Sequence, residues 1–283
     1  MAPIGAAIRV SGGLMKTGVR ETREIGAEVV QFFSGNPRGW KAPALDVADA
    51  VAFREHCGAA GVSVFLHAPY LLNVGSPDAA VLANTTAALA ECLRRAALIG
   101  AAGVVLHAGS SITREFRAEA LRRLPAVLGP LLDAAPAGPR LLIEPTAGGG
   151  AALASDSAST VEYFTALNDE RVGLCLDTCH LHAAGEDLST PYRLAKVLRG
   201  LASGVGRLDL LHVNDSHDSR GSKRDRHAQL GTGSLGAAPL AGLFGSPVLR
   251  KVPILVETEN AAAGVELLKG LRASATPARG ATR

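Results

Sequence analysis

Nine histidine, aspartate and glutamate residues stand at positions typical of metal ligands. Six of them end short apolar runs of the chain, namely His67, His107, Glu144, Asp177, His212 and Glu257. Three more stand in polar segments, namely His180, Asp225 and His227. Ionisable groups crowded together without counter-charge each cost several kcal/mol in desolvation and repulsion. Divalent metal ions remove that cost, so the residues predict a metal-dependent enzyme.

The number of candidate ligands indicates how many metal ions are bound. A catalytic zinc takes three or four protein ligands, so nine ligands imply two or three ions that share a bridging carboxylate. Any one of these residues alone is more often a satisfied polar side chain or a helix cap. Only the joint pattern favours the metal centre, because in a barrel the strand ends all meet at one face.

The elements that must position these residues alternate along the chain. Short apolar runs predict eight strands, which are Ile4–Ile8, Val29–Phe33, Val62–His67, Gly103–His107, Arg140–Glu144, Val172–Asp177, Leu208–His212 and Pro253–Glu257. Amphipathic stretches predict helices that include Ala79–Ile99, Arg114–Ala134, Ser159–Leu167, Pro191–Ala202 and Ala262–Arg272. Eight βα units predict one α/β domain, a (β/α)8 TIM barrel over residues 1–272 with its site at the carboxyl ends of the strands. An open doubly wound sheet is the alternative, and residues 273–283 are expected to form a flexible tail.

The segment around Asp177 and His180 requires a turn. Residues three apart on one strand point to opposite faces, so these two side chains converge only if the chain turns after Asp177. We expect a βα loop there, with Gly185 and the polar residues after it as loop. Thr190 followed by Pro191 predicts the start of the next helix.

Composition sets the broader class of protein. The 283 residues are 47% hydrophobic and carry a formal net charge of +3, which permits a polyanionic partner without demonstrating one. The N-terminus lacks the pattern of a signal peptide, and no apolar run reaches the roughly 18 residues of a membrane span. We therefore expect a cytoplasmic monomer that does not bind membranes. The four cysteines lack CxxC spacing, which argues against a disulfide framework or a thiolate zinc site.

Longer motifs surround the candidate ligands and carry a family resemblance. They are GNPRGW at 35–40, HAPYLLNVGSP at 67–77, LHAG at 106–109, IEPTAG at 143–148, DTCHLHAAGEDL at 177–188, HVNDS at 212–216, GSKRDRHAQLGTGSLG at 221–236 and LVETE at 255–259. The chain resembles the endonuclease IV family of apurinic/apyrimidinic endonucleases nearly from end to end.

The resemblance implies three zinc sites. His67, His107 and Glu144 would bind the first ion, and His180, Asp225 and His227 the third. Glu144 would bridge to the second ion, whose other ligands would be Asp177, His212 and Glu257. Mixed imidazole and carboxylate ligands also suit manganese or iron at one or more of these sites.

The implied reaction is hydrolysis of the phosphodiester 5′ to an abasic site in duplex DNA. The products would be a 3′-hydroxyl and a 5′-deoxyribose phosphate. A hydroxide bridging two of the ions would be the nucleophile, because zinc lowers the pKa of bound water to about 7. Glu144 is therefore the expected catalytic residue, as the bridging ligand.

Other residues are expected to handle the DNA. By resemblance, Arg38, Tyr70 and Leu71 would enter the duplex beside Trp40 while the abasic nucleotide swings into the pocket. The alternative is that Tyr70 and Leu71 are core residues under the barrel mouth. A basic cluster beside the third site, namely Lys223, Arg224 and Arg226, suits contacts to backbone phosphates, although such a run is usually only solvated.

Two positions depart from the family pattern. Ala7 stands where a histidine is common, and Pro145 replaces an asparagine after Glu144. Both departures bear on rate and substrate preference and leave the nine ligands intact. The GTGSLG segment at 231–236 matches a dinucleotide-binding fingerprint, but a charged loop precedes it instead of a strand, so we interpret it as a loop.

Two rival functions remain at this point. A xylose-isomerase-like sugar isomerase or epimerase would share the barrel and bind divalent metals, but it would leave the third metal site without a role. A non-catalytic binder of damaged DNA on a decayed barrel is disfavoured by the intact ligands.

Overall fold

The strands close into a parallel barrel in the computed structural model, which describes residues 1–275. Each strand pairs with its sequence neighbours, and the last barrel strand pairs with the first through Ile4 opposite Ile254. The barrel strands are β1 Ile4–Ala7, β2 Val29–Phe33, β3 Ser63–His67, β4 Gly103–His107, β5 Arg140–Glu144, β6 Val172–Asp177, β7 Leu210–His212 and β10 Ile254–Val256. The predicted TIM barrel is confirmed, and the open doubly wound sheet is wrong.

Helices surround the barrel. They are α1 Val19–Glu24, α2 Val47–Ala60, α3 Ala79–Ile99, α4 Arg117–Ala134, α5 Ser157–Leu167, α6 Thr178–Ala184, α7 Pro191–Val205 and α8 Ala261–Ala275. A π-helical turn at Leu14–Gly18 precedes α1. The last helix continues three residues past the predicted boundary at 272, and residues 276–283 of the expected tail lie outside the described residues. Within the described residues, no helix has the length and apolar character to cross a membrane.

The barrel interior is filled by one layer of apolar side chains, and six candidate ligands lie two residues after these side chains along the strands. Seven strands each contribute one buried residue to it, namely Val29, Phe65, Val105, Leu142, Cys175, Leu210 and Leu255. Successive side chains of a strand point to opposite faces, so the residue two positions later points inward again, one step nearer the carboxyl end. In six strands that residue is a predicted metal ligand, and in β2 it is Gln31. We call the end of the barrel where these residues meet the metal face.

The connection from β7 to β10 is the long excursion of the fold. It contains a two-stranded antiparallel ribbon of β8, Asp215–Ser216, and β9, His227–Ala228, followed by 3-10 turns at Ala238–Gly242 and Pro247–Leu249. Among the described residues of this connection there is no α-helix. The excursion carries Asp225 and His227 back over the metal face.

A buried carboxylate organises the glycine-rich segment at 231–236. Asp215 accepts hydrogen bonds from five backbone N–H groups, namely those of Ser216, Gly231, Gly233, Leu235 and Gly236. A Cβ at Gly233 would lie 2.5 Å from Asp215 Oδ1, so only glycine allows this approach. The amides that would cradle a phosphate in a dinucleotide fold bind the protein's own carboxylate here. The segment is a loop, as the sequence predicts.

Candidate metal centre

Glu144 lies at the centre of the clustered side chains. It ends β5 with 1% exposure, and its two carboxylate oxygens face different histidines. Oε2 lies 3.4 Å from His67 Nε2 and 3.5 Å from His107 Nε2. Oε1 lies 3.1 Å from His212 Nδ1 and 3.3 Å from His180 Nδ1. Oε2 thus faces the first donor set, His67 and His107, whereas Oε1 faces His212 of the second set and the Nδ1 side of His180. A carboxylate whose two oxygens face different donor groups has the geometry of a bridging ligand.

The second donor set surrounds His212 at the end of β7. His212 Nδ1 lies 3.2 Å from Glu257 Oε2 and 4.0 Å from Asp177 Oδ2, in addition to its contact with Glu144. The barrel register explains this proximity, because Asp177 pairs with His212 across β6 and β7. Glu257 directly follows β10, which pairs with β7 on its other side.

The third set combines α6 with the excursion after β7. His180 Nε2 lies 3.1 Å from Asp225 Oδ2, and His227 Nε2 lies 3.1 Å from Asp225 Oδ1. Backbone bonds hold the excursion against α6, since Lys223 N donates to Ala183 O at 2.9 Å. The side chain of Asp225 is 45% exposed, so this part of the centre opens toward solvent.

The turn after Asp177 differs from the one predicted. No loop separates the strand from a helix there, because α6 begins at the next residue, Thr178. Asp177 caps α6 with its own side chain, as Oδ1 accepts from Cys179 N at 2.6 Å and from His180 N at 3.1 Å. The cap satisfies backbone donors at the helix start and leaves Oδ2 facing the cluster. Gly185, expected in the loop, ends α6 with a left-handed backbone.

Hydrogen bonds assign the tautomers of three histidines. His67 Nδ1 donates to Ala68 O at 2.7 Å and His180 Nδ1 to Pro145 O at 3.0 Å, so in the neutral form of each ring Nε2 carries the lone pair. His212 is reversed, because its Nε2 donates to Gln31 Oε1 at 3.0 Å and leaves Nδ1 toward the cluster. A metal-binding histidine commonly donates its other nitrogen in this way.

Two buried side-chain amides contact the candidate ligands and were not predicted from the sequence. Gln31 on β2 holds His212 and also donates to Glu257 Oε1 at 2.7 Å. Asn214 donates to Asp177 Oδ2 at 2.6 Å and to Glu257 Oε2 at 3.1 Å. The signal for Gln31 is a polar residue inside the apolar strand VVQFF, two positions after an interior valine. Asn214 stands two residues after His212 within a motif already noted.

The charges of the cluster are strongly coupled. Burial raises the pKa of Glu144, but the charge of His212 and hydrogen bonds from His180 and His212 outweigh it and hold that pKa well below its usual range. Burial lowers the pKa of His227, but Asp177 and Asp225 outweigh it and raise that pKa to about 9. The carboxylates therefore hold a proton on His227 at neutral pH when no metal ion competes for it.

Other groups of the cluster stay uncharged because burial disfavours their charged forms. Burial disfavours the charged form of His107 and lowers its pKa to about 4, so this imidazole is neutral and able to bind a metal ion. Cys175 and Cys179 lie beside ligand atoms, but burial raises the pKa of each thiol to about 12. Both thiols stay protonated, which fits the expectation that they are not ligands.

Buried polar atoms that make no hydrogen bond test whether the cluster fits metal ions. Among the described residues, Glu144 Oε2, His180 Nε2 and His227 Nε2 are buried and make no hydrogen bond. Such atoms are rare in folded proteins because each costs free energy. The ligand atoms of His67, His107 and Glu144 lie within 4.8 Å of one another, as do those of His180, Asp225 and His227. Imidazole and carboxylate donors at these distances fit divalent metal ions.

The side chains predicted to contact DNA lie around the metal face. Arg38 and Trp40 are exposed on the loop of residues 34–46, which follows β2. Tyr70 and Leu71 are 51% and 39% exposed, so they are not core residues. The Tyr70 ring stands 5.4 Å from the ring of His67 and thus borders the first donor set.

The basic cluster carries less free charge than its sequence suggests. Lys223, Arg224 and Arg226 are exposed beside Asp225. Arg226 makes a bidentate pair with Asp218, and Arg224 Nη1 lies 3.7 Å from the same carboxylate. Asp218 therefore neutralises part of the cluster.

Comparison with known proteins decides the family. A family model described as a xylose isomerase-like TIM barrel matches residues 19–276. A probable endonuclease 4 of Streptomyces coelicolor is 43% identical over 279 residues, which cover 95% of each chain. The chain belongs to the endonuclease IV family. The predicted membership is confirmed, and with it the prediction of an enzyme of the nuclease class.

Solved structures agree with this assignment. Endonuclease IV from Thermus thermophilus has a TM-score of 0.81 and 30% sequence identity, covering 96% of this chain and 99% of that one. A D-tagatose 3-epimerase-like protein has a TM-score of 0.75 but only 17% identity, covering 96% and 98%. The second likeness shows the barrel fold alone, so the epimerase alternative is not favoured.

Both residues that depart from the endonuclease IV pattern, Ala7 and Pro145, lie next to the metal face. Ala7 ends β1 and pairs in register with Gln31, so its short side chain adds no polar group to the metal face. Pro145 lacks the side-chain amide, but its carbonyl accepts from His180 Nδ1. The backbone at 145 thus still orients His180.

Proposed function

We propose that this protein hydrolyses the phosphodiester 5′ to abasic sites in duplex DNA, leaving a 3′-hydroxyl and a 5′-deoxyribose phosphate. The observation that carries the proposal is the cluster of nine donor side chains around Glu144, with three buried ligand atoms that lack any hydrogen bond. The names of the endonuclease 4 relatives support the choice of substrate.

Three zinc ions would be held in the three donor sets. Glu144 would join the first and second sets through its separate oxygens. Bound zinc would supply Lewis-acid charge and lower the pKa of a coordinated water to about 7, which makes a nucleophile available at neutral pH. Manganese or iron at one or more sites would suit the same donors.

The charge of the centre favours a phosphodiester. Four carboxylates, namely Glu144, Asp177, Asp225 and Glu257, supply four negative charges, fewer than the six positive charges of three divalent ions. The excess positive charge would attract the phosphate oxygens and stabilise charge that develops on the leaving oxygen. The partly exposed third set, with Asp225, is where a phosphate approaching from solvent would arrive.

Substrate handling would fall to the loops beside the first donor set. Tyr70 and Leu71 are large and solvent-exposed, and they are suited to fill the space left by an unstacked nucleotide. Arg38 and Trp40 would add a planar cation and an aromatic surface from the loop of residues 34–46. A site that already lacks its base is the least costly to flip out of the duplex.

The basic cluster would have a divided role. Lys223 is exposed on the excursion and would contact backbone phosphate. Arg226 is held by Asp218, so it would shape the loop that carries Asp225 as well as add positive charge.

The test is nicking of a duplex with one abasic analogue, with an undamaged duplex and an aldose as control substrates. We expect nicking of the abasic strand, on its 5′ side, and no isomerised sugar. Cleavage of both duplexes at the same rate, or conversion of the aldose, would contradict the proposal. The double variant Tyr70→Ala, Leu71→Ala should keep its metal content and lose abasic-duplex binding; unchanged binding would exclude the wedge role.

A further inference from the structure

The loop of residues 34–46 has no regular secondary structure and is held by contacts from outside the loop. It has neither helix nor strand between Phe33 and Val47, and it bears Arg38 and Trp40 at its exposed tip. Its tip is a short turn in which Asn36 accepts from Arg38 N at 2.9 Å and from Gly39 N at 3.0 Å. A cavity of about 660 Å³ lies against the loop. Leu45, near the end of the loop, packs against the apolar core, whereas Arg38 and Trp40 at the tip are exposed. Apolar packing therefore does little to fix the tip.

Arg95 of α3 supplies that support. Its side chain is buried, with 4% of the residue exposed, and its guanidinium reaches both legs of the loop. Nη1 donates to Ser34 O at 3.0 Å, and Nη2 donates to Pro43 O. Nε donates to Glu91 Oε1 at 2.6 Å, which fixes the orientation of the planar group and balances its charge. One rigid fork thus joins two carbonyls that are nine residues apart in the chain.

The bonds of Arg95 bring the loop into a closed shape. The legs approach so closely that a Cβ on Gly35 would stand 3.1 Å from Ala42 Cα. A further bond, from Tyr70 N to Pro37 O at 2.8 Å, joins the closed loop to the segment after β3. Arg95 and this backbone bond together hold the tip of the loop beside Tyr70.

We propose that Arg95 is a positioning residue that preorganises the loop of residues 34–46 for its substrate. It lies under the loop and touches neither the donor sets nor the exposed tip. A loop that is ordered before binding loses less conformational entropy on binding, so the benefit falls on substrate affinity. The substrate part of this inference rests on the proposed function, whereas the ordering of the loop does not.

The first test is limited proteolysis with trypsin. The loop contains two tryptic sites, after Arg38 and after Lys41. In Arg95→Met we expect cleavage at these two bonds to be about tenfold faster or more, because two backbone hydrogen bonds no longer oppose local opening. Cleavage elsewhere should keep the parent rate, which separates loop opening from global unfolding. Arg95→Lys, which can reach only one carbonyl at a time, should restore part of the protection.

The matched control is Arg94→Met. Arg94 is the neighbouring arginine on α3 and pairs with the same glutamate, with Nε 2.7 Å from Glu91 Oε2. Its side chain is 51% exposed, and its guanidinium donates hydrogen bonds to Glu91. We expect parent-like cleavage for this variant. Equal loop cleavage in Arg94→Met and Arg95→Met, or parent-like cleavage in both, would overturn the positioning role.

The second test measures nicking of the abasic duplex by the metal-loaded protein. Arg95→Met should raise KM about tenfold and leave kcat and metal content within about twofold of the parent. In an Arg38→Ala, Trp40→Ala background the same change should add nothing to KM. A lower kcat with unchanged KM, or an additive effect, would overturn the inference. A parent protein that fails to nick would refute the proposed function instead, and trypsin would still decide whether Arg95 orders the loop.

Discussion

Replacing Asn214 by alanine should weaken metal binding without touching a ligand. Its amide donates to Asp177 Oδ2 and Glu257 Oε2, and its Oδ1 accepts from Glu257 N at 2.9 Å. Hydrogen bonds to charged groups contribute about 1.5 to 3 kcal/mol each, so their loss frees both carboxylates to move. Loss of such an outer contact typically weakens metal binding about 10- to 100-fold, or about 1.4 to 2.7 kcal/mol. We expect a decrease in that range.

The measurement is competition for zinc between the protein and a chromophoric chelator. Asn84→Ala, which removes an exposed amide from α3, is the control and should compete like the parent. Thermal unfolding of the metal-free proteins shows whether Asn214→Ala still folds. A folded Asn214→Ala protein that competes as well as the parent would refute the idea that this amide holds the ligands in place.

Three further predictions concern the centre and the closure of the barrel. Elemental analysis should find close to three metal ions per chain, and chelation should abolish nicking; a fully active preparation with one ion per chain would exclude three sites. Glu144→Ala should lower kcat/KM at least about tenfold more than His227→Ala, because Glu144 is proposed to bridge the first and second ions whereas His227 would bind only the third. Equal values would refute the bridging role. Glu28→Gln should lower the free energy of unfolding at neutral pH, by less than about 1 kcal/mol because the ion pair with Arg272 is part-exposed. Hydrogen bonds from Arg272 hold the pKa of Glu28 below its usual 4.5, so this stabilisation should fade as pH falls below that value. Urea unfolding of Glu28→Gln and the parent measures the difference in stability. A difference that persists unchanged in acid would contradict the prediction.

Strand ends were predictable because two physical signals coincide there. An apolar strand buried on both faces ends abruptly at a charged residue, and parallel strands in a barrel end at the same face. His67, His107, Glu144 and Asp177 end their strands as the sequence indicates. Six of the nine candidate ligands could therefore be named from strand ends, although their pairwise distances could not.

Uncharged side chains and local features of the fold could not be predicted from the sequence. Gln31 and Asn214 bear no charge, and their partners lie on strands distant in the chain. The helix α2 has weak amphipathic character, and the cap at Asp46 and the left-handed Gly61 at its end are its clearest signals. Asp177 could not be recognised as a helix cap, because a ligand and a cap use the same carboxylate. The pairing of Arg226 with Asp218 is likewise a property of the folded loop.

The hydrogen bond between Gln31 and Glu257 joins residues 226 positions apart. During synthesis the ribosome releases Glu257 long after Gln31, and the barrel cannot close before β10 pairs with both β1 and β7. A nascent chain that lacks β10 therefore has most of the donors but no finished centre, so full metal loading would have to follow the synthesis of β10. Metal ions bound there would also favour the closed barrel over every partly unfolded form. Metal supply would then govern how long the protein survives as well as how fast it reacts.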